Sequence, residues 1–267
     1  MDNRDKLNFL IYLAKKAGVI LLRLFRKDFE IENKKGAELL TTADKKSENF
    51  IIEALSKKYP KIEIIAEETK PNNWDVEEAF IIDPLDGTNN FSFGIPIFSV
   101  SIAYQLEGKL KIGVVYDPIH KELFHATKDG GAFLNGKPIR VSERLKLEES
   151  ILATGFPYIK IREEDSNIPE FNALLMKSRC IRRLGSAALD LCYVACGRFD
   201  GYWEKHLKIW DISAGGLIVE EAGGKVTNFY KESWNYKNSD IIASNGKIHD
   251  KMKEIIERVR NEKTFLA

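Results

Sequence analysis

Two acids, Asp83 and Asp86, stand three positions apart in the stretch Asp83-Pro84-Leu85-Asp86-Gly87-Thr88-Asn89-Asn90-Phe91, with no basic residue between them. Carboxylates this close repel unless a cation lies between them, and small hard divalent ions such as Mg2+ take oxygen ligands of this kind. The run Ala79-Phe80-Ile81-Ile82 just upstream reads as a buried strand. Asp83 is then expected where the strand ends, and Asp86 beyond it on a turn that Pro84 stiffens and Gly87 permits. Past Gly87, backbone N–H groups and the Thr88 hydroxyl can face an anion, as at the start of a helix. Carboxylates for a metal thus sit beside donors for a phosphate. Taken singly, Asp-Pro and Asp-Gly would mark no more than a surface turn.

The elements that position these residues follow from periodicity. Leu7, Leu10, Ala14, Ala17, Leu21, Leu24 and Phe25 recur every three or four residues, which predicts a long amphipathic helix covering a sheet. Phe29 to Asn33 alternates like an edge strand, and Lys34-Lys35-Gly36 makes a basic turn. Thr41-Thr42-Ala43-Asp44 opens a helix running to Tyr59-Pro60, where Asp44 suits the positive end of the helix dipole. Ile62 to Ala66 reads as a strand ending in Glu67-Glu68-Thr69, and Asn89 to Pro96 as a loop. A β meander follows, Val100 to Leu106, Leu110 to Tyr116 and Glu122 to Thr127, with tight-turn signals at Asp129-Gly130-Gly131 and Asn135-Gly136.

Lys146 to Ser150 is charged and aperiodic, and marks the expected boundary between an N-terminal lobe, 1–145, and a C-terminal lobe, 146–267, of one continuous unit. The second half reads as strand Ile151–Gly155, helix Pro169–Lys177, strand Cys180–Leu184 and helix Leu189–Cys196, with Gly185-Ser186 as its cap. An aromatic strand, Phe199 to Trp203, leads to Glu204. Asp211 opens a helix through Leu217, Ile218 and Ala222 to Gly223-Gly224, and strand Asp240–Ser244 and a helix from Lys247 to Val259 close the chain. Helices flanking an antiparallel sheet predict an α/β layered sandwich.

Composition narrows the function. The chain has 267 residues, 44% of them hydrophobic, enough for a substantial core. A net charge of +1 with interspersed signs indicates neither a nucleic-acid nor a membrane surface. No apolar run approaches the roughly 20 residues of a membrane span, and the charged N-terminus reads as that of a cytoplasmic protein. Cys180, Cys192 and Cys196 form no C-x-x-C pair. Cys192 to Arg198 spells C-x5-R, but the surrounding sequence is an apolar helix without the glycines that aim amides at a phosphate, so these are core thiols. His120, His125, His206 and His249 lack metal-ligand spacing.

The nonapeptide D-P-L-D-G-T-N-N-F resembles the signature of the inositol monophosphatase family of Mg2+-dependent, lithium-sensitive phosphatases, and Trp210-Asp211-Ile212-Ser213-Ala214-Gly215 is similar to its second signature, W-D-x-x-A-G. The resemblance covers nearly the whole chain. It implies a layered αβαβα sandwich of the sugar-phosphatase type, commonly dimeric, with about two to three Mg2+ ions per site. Glu67, Asp83, Asp86, Asp211 and the main-chain oxygen of Leu85 would be the metal ligands, with Glu67 drawn from Ala66-Glu67-Glu68 where the family has G-E-E, and Glu68 behind it. Asp44 would orient Thr88 to take a proton from a metal-activated water, with Glu67 also catalytic. Asp86, Gly87, Thr88, Ala187, Glu204 and Asp211 would bind substrate, Lys34 or Lys35 would lean over the phosphate, and Arg182 or Arg183 would reach a second substrate group or a neighbouring subunit. Myo-inositol 1-phosphate is the leading substrate, while relatives hydrolyse fructose 1,6-bisphosphate or 3′-phosphoadenosine 5′-phosphate. Bacterial relatives of the SuhB type associate with the transcription machinery, which is a non-enzymatic alternative.

Overall fold

Leu10, Leu13, Ala14, Ala17 and Leu21 line one face of α1 (Asn3–Leu24) and are fully buried, as their spacing requires. The computed structural model describes residues 3–27, 31–33, 39–69, 76–157, 166–230 and 233–264. After α1, the short strands β1 (Ile31–Asn33) and β2 (Leu39–Thr41) form an antiparallel ribbon leading into α2 (Thr42–Lys58). A seven-stranded sheet then runs in chain order: β3 (Glu63–Ala66), β4 (Glu78–Asp86), β5 (Ser99–Leu106), β6 (Lys109–Asp117), β7 (Glu122–Thr127), β8 (Gly131–Leu134) and β9 (Lys137–Pro138). Only β3 and β4 pair in parallel within it.

The second half builds a five-stranded sheet from β10 (Ile151–Thr154), β11 (Cys180–Arg182), β12 (Gly201–Lys205), β13 (Lys225–Thr227) and β14 (Asp240–Ser244), in the order β11-β10-β12-β14-β13. Its helices are α4 (Ile168–Leu175), α5 (Ala187–Ala195), α6 (Ile209–Glu221) and α7 (His249–Thr264), while the five-residue α3 (Thr88–Ser92) belongs to the first half.

Alternation along the strands assigns each face to a layer. On β4, Phe80 and Ile82 face α1 and α2, whereas Ala79 and Ile81 face α5 and α6. On β14, Ile241 and Ala243 join that same middle layer, and Ile242 faces the other way, with Met252 and Ile256 of α7. The result is helix, sheet, helix, sheet, helix, the five layers that the family resemblance implies. Among the described residues, no helix is long and apolar enough to cross a membrane.

Two local expectations are corrected. β4 does not end at Asp83 but continues through Asp86, with a shift of register: Asp83 pairs with Ser101 and Asp86 with Ser99, so two residues of β4 oppose one of β5. Pro84 has no N–H to give the ladder and falls within this bulge, where proline is tolerated. In a regular strand, residues three apart point to opposite faces. Here the extra residue puts Asp83 and Asp86 opposite two serines of one face, so both carboxylates turn the same way. The second correction is α3, which replaces the expected loop. It is too short to show a period in the sequence, and it forms because Phe91 buries against Phe25 and Phe98, with ring centroids 5.4 and 5.0 Å away.

One side chain of α3 ties the halves together. The Asn90 amide nitrogen donates to Ile97 O and Leu184 O, both at 2.8 Å, and is nearly buried. Asn90→Ala leaves these carbonyls without that donor, so we expect a loss of about 1–3 kcal/mol in urea unfolding. An unchanged midpoint would show that the two halves hold together without it.

Candidate active site

The end of β4, α3, the starts of α5 and α6, and the end of β12 surround a cleft of about 370 Å3. Glu67, Asp83, Asp86, Thr88, Glu204 and Asp211 all line it, as do Leu85, Gly87 and Ala187. Asp44 lies outside this lining and is fully buried. Lys34 and Lys35 lie outside the described residues.

Each acid is placed by backbone groups. Asp44 closes a capping box at α2: its Oδ2 accepts from Thr41 N at 2.7 Å and from the Thr41 hydroxyl, leaving Oδ1 to accept from Thr88 Oγ1 at 2.9 Å. Its value as a helix-start residue and its link to Thr88 therefore use different oxygens. Thr88 Oγ1 also lies 3.0 Å from Leu85 O, so one proton serves two acceptors and the hydroxyl's lone pairs stay available. Asp211 repeats the device at α6, where its Oδ2 accepts from Lys208 N at 2.6 Å. Glu67 is pinned beside β4 through its own N–H, which donates to Ile82 O at 3.2 Å. Gly87, at φ 96°, makes the turn from β4 into α3 that only glycine takes without strain.

Asp86 reaches across the cleft. Its Oδ2 accepts from the Ser186 hydroxyl at 2.5 Å and from Ala188 N at 2.9 Å, and its Oδ1 lies 3.3 Å from Ala187 N. The first amides of α5 are thus met by the protein's own carboxylate, because a helix start favours the nearest anion. A carboxylate has about four lone-pair sites, so Oδ1 retains capacity.

Burial and crowding raise the proton affinity of Asp83, Asp86, Asp190, Glu204 and Asp211. Burial pushes Asp83 well above the usual carboxylate range, and the charges of Glu67, Asp86 and Asp211 push it further. Asp211 is raised by burial and then by Glu67. Asp86 rises to about 6 through burial, opposed by its Ser186, Ala188 and Ala187 donors. Glu204 rises to about 7 through burial, opposed by the Tyr202 hydroxyl, 2.5 Å from its Oε2, and by Arg183.

An all-oxygen donor set with mutually repelling charges is the chemistry that a hard divalent cation satisfies, and in this sense the residues fit Mg2+. Among the described residues, no three His, Cys, Asp or Glu side chains are drawn together closely enough to hold a metal ion as they stand. The acids line the cleft rather than closing on a point.

The cleft also contains residues that the sequence reading did not single out for it. Asp190, on the buried face of α5, was counted as part of an apolar helix, although a lone acid among Leu189, Leu191, Cys192 and Val194 is itself a signal. Lys205 ends β12, and His206 and Lys208 come from the connection to α6, where no pattern marks them. Of the two arginines left open, Arg183 lines the cleft, whereas the exposed Arg182 turns back to its neighbour Ile181 O at 3.2 Å.

Known proteins resemble this chain over nearly its whole length. The Inositol monophosphatase family model matches residues 2–263. A Nus factor SuhB of Haemophilus influenzae is 44% identical over 257 residues, covering 95% of each chain. An inositol-1-monophosphatase of Synechocystis is 40% identical, covering 90% of this chain and 84% of its own. The solved structure of an IMPase of Thermotoga maritima superposes with a TM-score of 0.88 at 37% identity, covering 97% of this chain and 99% of that one. Through its signatures, its five layers and this full-length likeness, the chain belongs to the inositol monophosphatase family.

Proposed function

We propose that this protein is a Mg2+-dependent phosphomonoesterase that hydrolyses myo-inositol 1-phosphate to inositol and phosphate. The observation that carries the reading is the arrival, in one cleft, of four acids from three distant segments beside a threonine whose hydroxyl is held by a buried aspartate. Glu67, Asp83, Asp86, Asp211 and the Leu85 carbonyl are the residues that would hold Mg2+, with two to three ions the family's number. Bound Mg2+ supplies positive charge against the phosphoryl oxygens and acidifies water.

The chain's own groups do the rest. Asp44 Oδ1 accepts the Thr88 hydrogen bond, which orients a Thr88 Oγ1 lone pair toward water entering the cleft; as Thr88 takes a proton from that water, its own proton passes to Asp44. Glu67 stands beside that water as a further acceptor. Gly87 and Thr88 face the phosphate, while Ala187 and Glu204 face the polyol. Glu204 keeps its place because residue 155 is glycine: a β-carbon there would lie 2.0 Å from Glu204 Oε2. Fructose 1,6-bisphosphate and 3′-phosphoadenosine 5′-phosphate are the alternative substrates within the same chemistry. Lithium sensitivity, a homodimer, a cytoplasmic setting and the two-lobe division at residue 146 accompany this reading. A second reading has its own support: relatives at 44% and 39% identity bear the name Nus factor SuhB, so a partner in the transcription machinery is proposed beside catalysis.

Three outcomes test the enzyme. Asp211→Asn removes a charge while keeping the amide cap on Lys208 N in reach, so Mg2+-dependent turnover on inositol 1-phosphate should fall by about a thousandfold or more with the melting temperature retained. Wild-type turnover in that variant sinks the ligand assignment. Asp44→Asn and Thr88→Ala should each cost about as much as the double change, since they act as one unit. Multiplying losses would separate them. Gly155→Ala should raise KM for inositol 1-phosphate by displacing Glu204, and an unchanged KM would remove Glu204 from the polyol side.

A further inference from the structure

Asn167 stands just before α4, where asparagine is favoured because its side-chain oxygen can accept from the first free N–H groups of a helix. It makes no such cap. Its Oδ1 is buried without a hydrogen-bond partner, and native proteins keep few acceptors in that condition without reason. The side chain serves β10 instead: Nδ2 donates to Gly155 O at 2.6 Å and lies 3.4 Å from Thr154 Oγ1, whose hydroxyl donates to Trp203 O at 2.7 Å. Asn167, Thr154 and Trp203 are all fully buried. This chain of contacts runs from the start of α4 through β10 to β12, where Thr154 pairs with Trp203, the residue before Glu204. α4 meets the same wall a second time, through the Phe171 ring, 5.7 Å from the ring of Phe156 in the cleft.

We propose that Asn167 is a positioning residue that acts on the cleft through Gly155 and Glu204, an assignment that rests on the phosphatase reading above. The Glu204 carboxylate lies so close to the Gly155 backbone that a β-carbon there would be 2.0 to 2.3 Å from its oxygens and carbon. From the other side the Tyr202 hydroxyl holds Oε2 at 2.5 Å. Glu204 is therefore seated in a gap whose width is the spacing of β10 and β12, and Asn167 and Thr154 fix that spacing from beneath. Groups that bind a ligand must keep their places to within about 0.5 Å, and buried hydrogen bonds behind them are what holds them there. The phosphoryl end shares none of these bonds: Thr88 is held by Asp44, and Asp211 by Lys208 N. Loosening Asn167 should thus disturb one end of the cleft and spare the other.

Steady-state kinetics of the full chain with Mg2+ and inositol 1-phosphate decide the matter. Asn167→Ala should raise KM by about tenfold, with kcat and inhibition by inorganic phosphate each kept to within about twofold. Placed in a Glu204→Ala background, the same substitution should change KM no further, because the group it positions is gone. An unchanged KM in the single variant, an equal loss in both backgrounds, or a matching loss of phosphate inhibition overturns the assignment, since a general loosening of the fold would produce the last two. Should Asn167→Ala not fold, Thr154→Val keeps the shape, removes the donor to Trp203 O and is judged by the same cycle. A wild-type protein that hydrolyses no phosphate ester defeats the phosphatase reading, and the cycle is then read by calorimetric binding of inositol 1-phosphate, where absence of binding defeats both.

Discussion

Gathering carboxylates away from water is the constraint on which the rest of this structure depends. An unpaired buried charge costs several kcal/mol, so the fold must supply compensation wherever it places one. It does so with helix starts. Asp44 sits in the first turn of α2, Asp211 in the first turn of α6, and Asp86 accepts from the first amides of α5. Each such end carries roughly half a positive charge in unsatisfied N–H groups. Three of them converge on one region, and they hold the acids together before any cation contributes.

This arrangement needs the middle helical layer. α5 and α6 are buried between two sheets, and α6 lies against β5, β6 and β7 on one side and β13 on the other. Their N-termini therefore have fixed positions relative to β4. The outer helices, α1 and α2 on one side and α4 and α7 on the other, complete the cores that hold the sheets in register. The acids come from the first sheet and its loops and from α6, whereas Glu204, Arg183 and Asp190 come from the second half. The cleft is thus the seam between two sheets.

Much of this was readable from the sequence. The elements followed from helical and alternating periods strong enough to survive in a single chain, Asp83, Asp86 and Asp211 followed from two motifs, and the five-layer order, Glu67 and Glu204 followed from the wider family resemblance. The bulge in β4 was not foreseen, because Pro84 signals a break in pairing without saying on which side of Asp86 the strand resumes. α3 was missed because five residues are too few for a period. Asp190 was absorbed into an apolar pattern that counted residues without asking why one was charged. Lys205, His206 and Lys208 had no local signal: their place is decided by how β12 and α6 dock, which no stretch of sequence records.

The bond from Ser186 to Asp86 spans 100 residues of chain. During synthesis the first pair of acids emerges well before the hydroxyl and amides that steady one of them. Until α5 follows, Asp86 has only solvent and Ser99 to answer it, and the cleft has one wall. Competence at this centre is therefore acquired late, when the second half closes over the first, and a fragment ending before residue 186 would keep the sheet's acids but not their geometry.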